Sequence, residues 1–114
     1  MRILSFGKHW LKLDQHEFTT FRFPRKDKDW EDKELVQIVL QSRSKNRIVL
    51  GVAQIVSKER RVLFSPFGIS DEEAVADGFW NSIDMIDWLK KTYPRERIWL
   101  NPLNKLTLRW IKGE

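Results

Sequence analysis

The sequence predicts an α+β fold, and three observations carry that prediction. Runs rich in Val, Ile and Phe fill residues 18–64, two helix-capping signals stand at Ser70 and Asn81, and strand-like sequence returns after residue 96. With 114 residues, 41% apolar content, 6 Trp and 7 Phe, the chain is read as one domain over residues 1–114 with ample side chain for a core. No repeat or Gly/Ser/Pro-rich linker divides it.

In chain order, Phe6, Trp10 and Leu13 recur at spacings of four and three, which predicts a short helix over 5–15. Phe18 to Phe23 is aromatic and β-branched and alternates, with Phe21 and Phe23 on one side and an outward Thr20 and Arg22 on the other. That is a strand. Residues 24–33 form a charged loop around Trp30, expected to cover one end of a sheet. Leu35–Gln41 and Arg47–Ser57 read as a β-hairpin whose turn holds a left-handed residue at Asn46. Gly51 and Ala53 share a face of its second strand, where another element can approach closely. A basic turn over 58–61 leads to a short strand at Val62–Phe64.

The helical section comes next. Ser70 and Glu73 have capping-box spacing, with Ile69 and Ala74 as the staple, so a helix starts at Asp71 and ends near Gly78. Asn81 caps a second helix that Pro94 ends after Tyr93, with Phe79, Ile83, Ile86, Leu89 and Tyr93 as its apolar stripe. Arg97–Leu100 and Lys105–Ile111 read as two further strands.

Composition excludes several function classes. No apolar run spans the roughly 30 Å of a bilayer core, and the first residues lack a signal-peptide pattern, so a cytoplasmic protein without a membrane partner is expected. Zero Cys removes disulfides, thiol nucleophiles and zinc-thiolate sites, and His9 and His16 are too few for a metal centre. There is no phosphate-binding Walker loop, dinucleotide fingerprint or nucleophile elbow, so no cofactor is expected. The net charge is +5 with a pI near 9.7, and it is unevenly placed: residues 34–65 hold six basic and two acidic groups, residues 66–94 two and six. A basic surface set apart from an acidic one favours an anionic partner, RNA foremost.

Thr20 and Arg22 project from one face of a strand, with Arg25 just beyond, where a guanidinium can grip a phosphate and a hydroxyl can bond a base or phosphate oxygen. Arg43 and Arg47 in the hairpin turn, with Arg60 and Arg61 on the next turn, are placed to track a phosphate backbone. The plainer alternative is that Arg22 pairs with an acidic residue of the helices, Thr20 is ordinary strand surface and the basic turns are simply solvated. Trp30 and Trp88 are the rings expected to be partly exposed, for stacking on a base or for a homodimer contact. The chain is expected to be a monomer or a weak homodimer.

Thr20-Phe21-Arg22, then Leu50-Gly51-Val52-Ala53, then Asp77-Gly78-Phe79 leading into Trp88 and Tyr93-Pro94 together resemble an ASCH domain, a member of the PUA-like superfamily. The resemblance spans nearly the whole chain in the right order. It implies a small PUA-like β-barrel with flanking helices, a cleft between them, and a role in binding RNA. The family also contains small amidohydrolases that remove the acetyl group from acetylcytidine with a Lys, a Thr and a Glu. On that pattern Thr20 is the nucleophile and Asp77 the acid, whereas the Lys position, three residues before Thr20, holds Glu17. A Thr hydroxyl needs a base to take its proton, and a carboxylate cannot supply positive charge to an oxyanion. Lys12 and Lys26 are the nearby lysines, and nothing in the sequence brings either to the site.

The expectation is therefore an RNA-binding module with Thr20, Arg22, Arg25 and Trp30 in the cleft and Arg43, Arg47, Arg60 and Arg61 on phosphates. One alternative is an enzyme acting on an acylated nucleoside through Thr20, Glu17 and Asp77; another is a protein-interaction module using exposed Trp.

Overall fold

The computed structural model describes residues 1–7, 10–25, 27–62, 69–93 and 102–111. They form five strands and two helices: β1 (Arg2–Phe6), β2 (Glu17–Arg22), β3 (Leu35–Leu40), β4 (Ile48–Arg61), α1 (Asp71–Ala76), α2 (Ser82–Thr92) and β5 (Leu103–Trp110). The strands make one mixed sheet in the order β1-β3-β4-β5-β2, parallel only between β1 and β3. This is an α+β architecture. The sheet is not closed, but it curls until its two edge strands approach. Phe6 of β1 and Phe18 of β2 meet edge to face at 6.2 Å, and the Arg22 guanidinium donates to the Ser5 carbonyl at 2.7 Å.

Alternation along the strands sorts the core into two parts. Leu4 and Phe6, Phe18, Ile38, Ile55, Leu106 and Leu108 fill the inside of the curl. Phe21 and Phe23 point the other way, under Met85 and Leu89 of α2 and Ala74 of α1. The sheet thus presents one face to its own interior and one to the helices, as an α+β layer requires. No helix among the described residues is long and apolar enough to cross a membrane.

Several elements depart from the sequence reading. The expected helix over 5–15 is β1 followed by a single 3-10 turn at Leu11–Asp14. Phe6 and Leu13 do share a core, but they reach it from separate elements, so their helical spacing is coincidental. Lys58–Arg61 is not a turn: β4 continues through it because β5 pairs with it from Ala53 to Arg61, across a bulge near Val56. In the β3–β4 connection the left-handed residue is Gln41, with φ +50°, and not Asn46. The Gln41 N–H bonds the Phe6 carbonyl at 2.8 Å, which ties this turn to the end of β1. Leu63 and Phe64 of the short strand expected at Val62–Phe64, and the strand expected at Arg97–Leu100, lie outside the described residues.

The helix caps follow the sequence. Ser70 and Glu73 form the reciprocal capping box of α1, and the Asn81 side chain accepts from the Asp84 N–H at the start of α2. The buried face of α2 is carried by Met85 and Leu89, with Ile86 and Tyr93 packed beside them. Ile83, expected in the stripe, faces solvent. Gly51 has φ +150° and lies under the Trp110 ring, so a ring, not a backbone, makes the close approach there.

Candidate functional site

Between the mouth of the curled sheet and the two helices lies a pocket of about 460 Å³. Thr20 and Arg22 of β2 reach it from the inner face of the strand, Lys12 from the 3-10 turn and Asp77 from the end of α1. Trp10, Phe79, Trp88 and Tyr93 form its aromatic wall. Their rings lean on one another at centroid distances of 5.3 to 6.5 Å. Gly78, at φ +109°, makes this wall possible, because a Cβ there would stand 2.7 Å from the Trp10 ring.

Lys12 Nζ donates to Asp77 Oδ1 at 2.6 Å, and both side chains are 7% exposed. Burial raises the Asp77 carboxyl to about 6 even though Lys12 and Arg22 pull it down. Burial likewise lowers the Lys12 ammonium, against the stabilising charge and hydrogen bond of Asp77. Desolvation thus pushes both partners towards their neutral forms, against the charge and hydrogen bond that each offers the other.

Thr20 is buried, and its hydroxyl accepts from Arg22 Nε at 3.2 Å. The guanidinium is held in turn by the Ser5 carbonyl and stacks over Phe6 at 4.6 Å. Hydroxyl, amine, carboxyl and guanidinium therefore line one pocket, and because Lys12, Thr20 and Asp77 are buried they interact more strongly than they would at the surface.

The sequence-derived candidates separate. Thr20 and Arg22 of the RNA-binding set and Asp77 of the catalytic set line the same pocket, where Thr20 is an inner-face residue and not an outward one. Glu17 does not join them. An offset of three along a regular strand reverses the side-chain direction, so Glu17 lies on the opposite face from Thr20 and accepts from Arg109 Nη2 at 3.1 Å. The lysine that lines the pocket is Lys12, from the 3-10 turn and not from the strand. The sequence signal was faint: one Lys between Leu11 and Leu13, of which the 3-10 turn buries Lys12 and Leu13 and leaves Leu11 exposed.

Trp30 is also corrected. It is buried in the core beneath Arg2 and Arg25, with no face free for a base. The strongly exposed ring is Trp80, while Trp88 is partly exposed as expected. Arg25, Arg43 and Arg47 line a groove beside the pocket. Arg61 lies instead on the helix side, donating to Glu73 at 2.7 Å, and its neighbour Arg60 is exposed.

No protein-family model, curated protein or solved structure matches the chain.

Proposed function

We propose that the pocket binds an acylated nucleobase and that the protein is an amidohydrolase acting on an acylated nucleoside such as acetylcytidine. The buried Lys12–Asp77 pair beside Thr20 carries this reading. A buried ion pair is often no more stabilising than apolar residues of the same volume, whereas shifted ionisable groups in a cleft are the usual signature of acid–base work. The resemblance to ASCH domains implies a Lys, a Thr and an acid in this cleft, and Lys12 supports the reading by bringing to the pocket the amine that position 17 lacks. The near approach of the sheet edges also supports a PUA-like, barrel-derived fold.

In this mechanism Thr20 Oγ1 attacks the carbonyl carbon of the N-acyl group while its proton passes to the Lys12 amine, whose burial makes the neutral form accessible. The Arg22 N–H already directed at Thr20 Oγ1 stabilises the developing alkoxide. The C–N bond breaks, the Lys12 ammonium protonates the departing amino group, and an acyl ester remains on Thr20. Water then hydrolyses the ester, releasing the carboxylic acid and restoring the hydroxyl. Asp77 holds Lys12 in place and balances its charge.

A second reading, an RNA-binding module, uses the same pocket without chemistry: an unpaired base enters beside the partly exposed Trp88 ring. The net charge of +5 favours it. Incubating the purified protein with acetylcytidine and quantifying cytidine separates the two. The enzyme predicts turnover that falls about 100-fold or more in Thr20→Ala and in Lys12→Met. No turnover by the wild type, with cytidine still bound, transfers the site to the binding reading.

A further inference from the structure

Arg22 borders two cavities. On one side is the Lys12–Thr20–Asp77 pocket; on the other is a more open groove of about 780 Å³ that shares Ser5, Phe6, Gly7 and Arg22 with it. Beyond these shared residues the groove's lining includes Arg25, Arg43 and Arg47 with Ser42, Ser44 and an edge of Trp30, and no carboxylate is among the described residues that line it.

We propose that this groove is a phosphate subsite, so that the ligand of the adjoining pocket is a phosphorylated nucleoside, either a nucleotide or a residue within an RNA strand. The inference deepens the base-pocket reading and rests on it.

Three features favour phosphate. Guanidiniums gathered without carboxylates repel one another unless an anion lies between them, and their forked donors match phosphate oxygens. Among the described residues, Arg43 and Arg47 have no acidic partner, and Arg25 has only a loose 3.5 Å contact with exposed Asp27. Arg25 and the backbone that carries Arg43 and Arg47 are also held in advance. Arg25 lies over the buried Trp30 ring at 5.4 Å, and its backbone N–H bonds Asp29 at 3.2 Å. The turn bearing Arg43 and Arg47 is fixed by Gln41 N–H on the Phe6 carbonyl, Ser44 N–H on Gln41 and Arg47 N–H on Ser44. Finally, the groove meets the base pocket at one guanidinium, Arg22, as the sugar between a base and its phosphate requires.

Calorimetric titration with cytidine, cytidine 5′-monophosphate, ribose 5-phosphate and a short single-stranded RNA tests this, using wild type and an Arg43→Ala/Arg47→Ala variant whose folding is confirmed by its melting curve. The monophosphate should bind wild type about tenfold more tightly than cytidine at low salt. That ratio should shrink at high salt and approach one in the variant. Equal affinities in wild type, or a ratio untouched by the double substitution, would overturn the subsite. Ribose 5-phosphate binding that needs Arg43 and Arg47, without cytidine binding, would keep the subsite and remove the base pocket. No binding of any probe removes both. RNA binding more tightly than the monophosphate marks the strand as the phosphate source, and equal binding marks the nucleotide; either supports the subsite.

Discussion

Lys12 Nζ and Asp77 Oδ1 stand 2.6 Å apart in a pocket where both side chains are largely buried, although they lie 65 positions apart in the chain. The pair joins the turn after β1 to the end of α1, and so the sheet to the helical layer at the point where the cleft opens. Taking two charges out of water is costly, and their attraction roughly offsets that cost at best. Their position beside Thr20 gives the arrangement a reason that stability alone does not.

Separate and joint replacement of the pair distinguishes these contributions. Lys12→Met or Asp77→Leu alone strands one buried charge and should cost about 3 to 5 kcal/mol in urea unfolding, while the joint variant should return to wild-type stability or exceed it. Hydrolysis should be lost in all three. A joint variant as unstable as the single ones would mean that the pair is chiefly a structural clamp.

Stability should also depend on pH with opposite slopes on two sides. The folded Asp77 carboxyl, raised from 3.8 to about 6, holds its proton more tightly than the unfolded chain does, so its contribution is greatest below about 4 and declines as pH rises through 6. At about 1.4 kcal/mol per unit, the decline is at most about 3 kcal/mol. Asp29 and Glu73 act the other way. Desolvation opposes their ionisation, yet hydrogen bonds from Lys58 and Asn104 on Asp29, and from Lys105, the Ser70 N–H and Arg61 on Glu73, hold both at about 2. Their contributions are present above the unfolded carboxyl range and vanish as pH falls through 2. Melting temperatures from pH 2 to 8 should therefore fall on the acid side through Asp29 and Glu73, and Asp77→Asn should flatten the slope between 4 and 6. An unchanged slope in that variant would contradict the shift assigned to Asp77.

Local signals carried much of the fold. Ser70 with Glu73 and Asn81 before α2 act within a few residues, so the caps were legible, as was the alternation that opposes Phe21 to Arg22. What failed depended on long-range pairing. β1 is a strand because β3 lies beside it, and Lys58–Arg61 is extended because β5 lies beside it; neither partner shows in the local sequence. The site was half legible for the same reason. Thr20 and Asp77 sit in recognisable short motifs, whereas Lys12 enters only through a turn whose direction is set by packing around Leu13.

Gly78 should tolerate no side chain. A Cβ at Gly78 would collide with the Trp10 ring, and φ +109° is disfavoured for any L side chain. Gly78→Ala should cost about 2 kcal/mol and move Trp10 off Phe79, read as a change in tryptophan fluorescence with weakened ligand binding. A variant with wild-type stability and spectrum would show that the wall rearranges freely.

Adjacent Arg60 and Arg61 should behave differently. Arg61 is held by Glu73 at 2.7 Å and by Glu59 at 3.1 Å, joining β4 to α1, so Arg61→Ala should cost about 1 kcal/mol. Exposed Arg60 should change stability by less than about 0.5 kcal/mol when truncated. Equal losses in thermal unfolding would indicate that the Arg61–Glu73 contact contributes nothing.

Asp29 links the core to the arginine groove. Its carboxylate accepts from Lys58 Nζ at 2.8 Å, from fully buried Asn104 Nδ2 at 2.9 and 3.0 Å, and from the backbone N–H groups of Trp30 and Arg25. Asn104 Oδ1 already has no hydrogen-bond partner among the described residues, so removing the carboxylate would leave the whole amide unsatisfied in the interior. Asp29→Ala should therefore cost about 2 to 3 kcal/mol, more than its modest exposure suggests. The loop carrying Arg25 would also lose its anchor, so the preference for a phosphorylated ligand should fall in the same variant. Asp29→Ala combined with Asn104→Leu separates the two effects: stability should recover in part, because the buried amide is no longer left unpaired while Lys58 and the Trp30 and Arg25 N–H groups still lose their acceptor, and the phosphate preference should not recover. Recovery of both would mean that Arg25 is placed by the Trp30 ring alone.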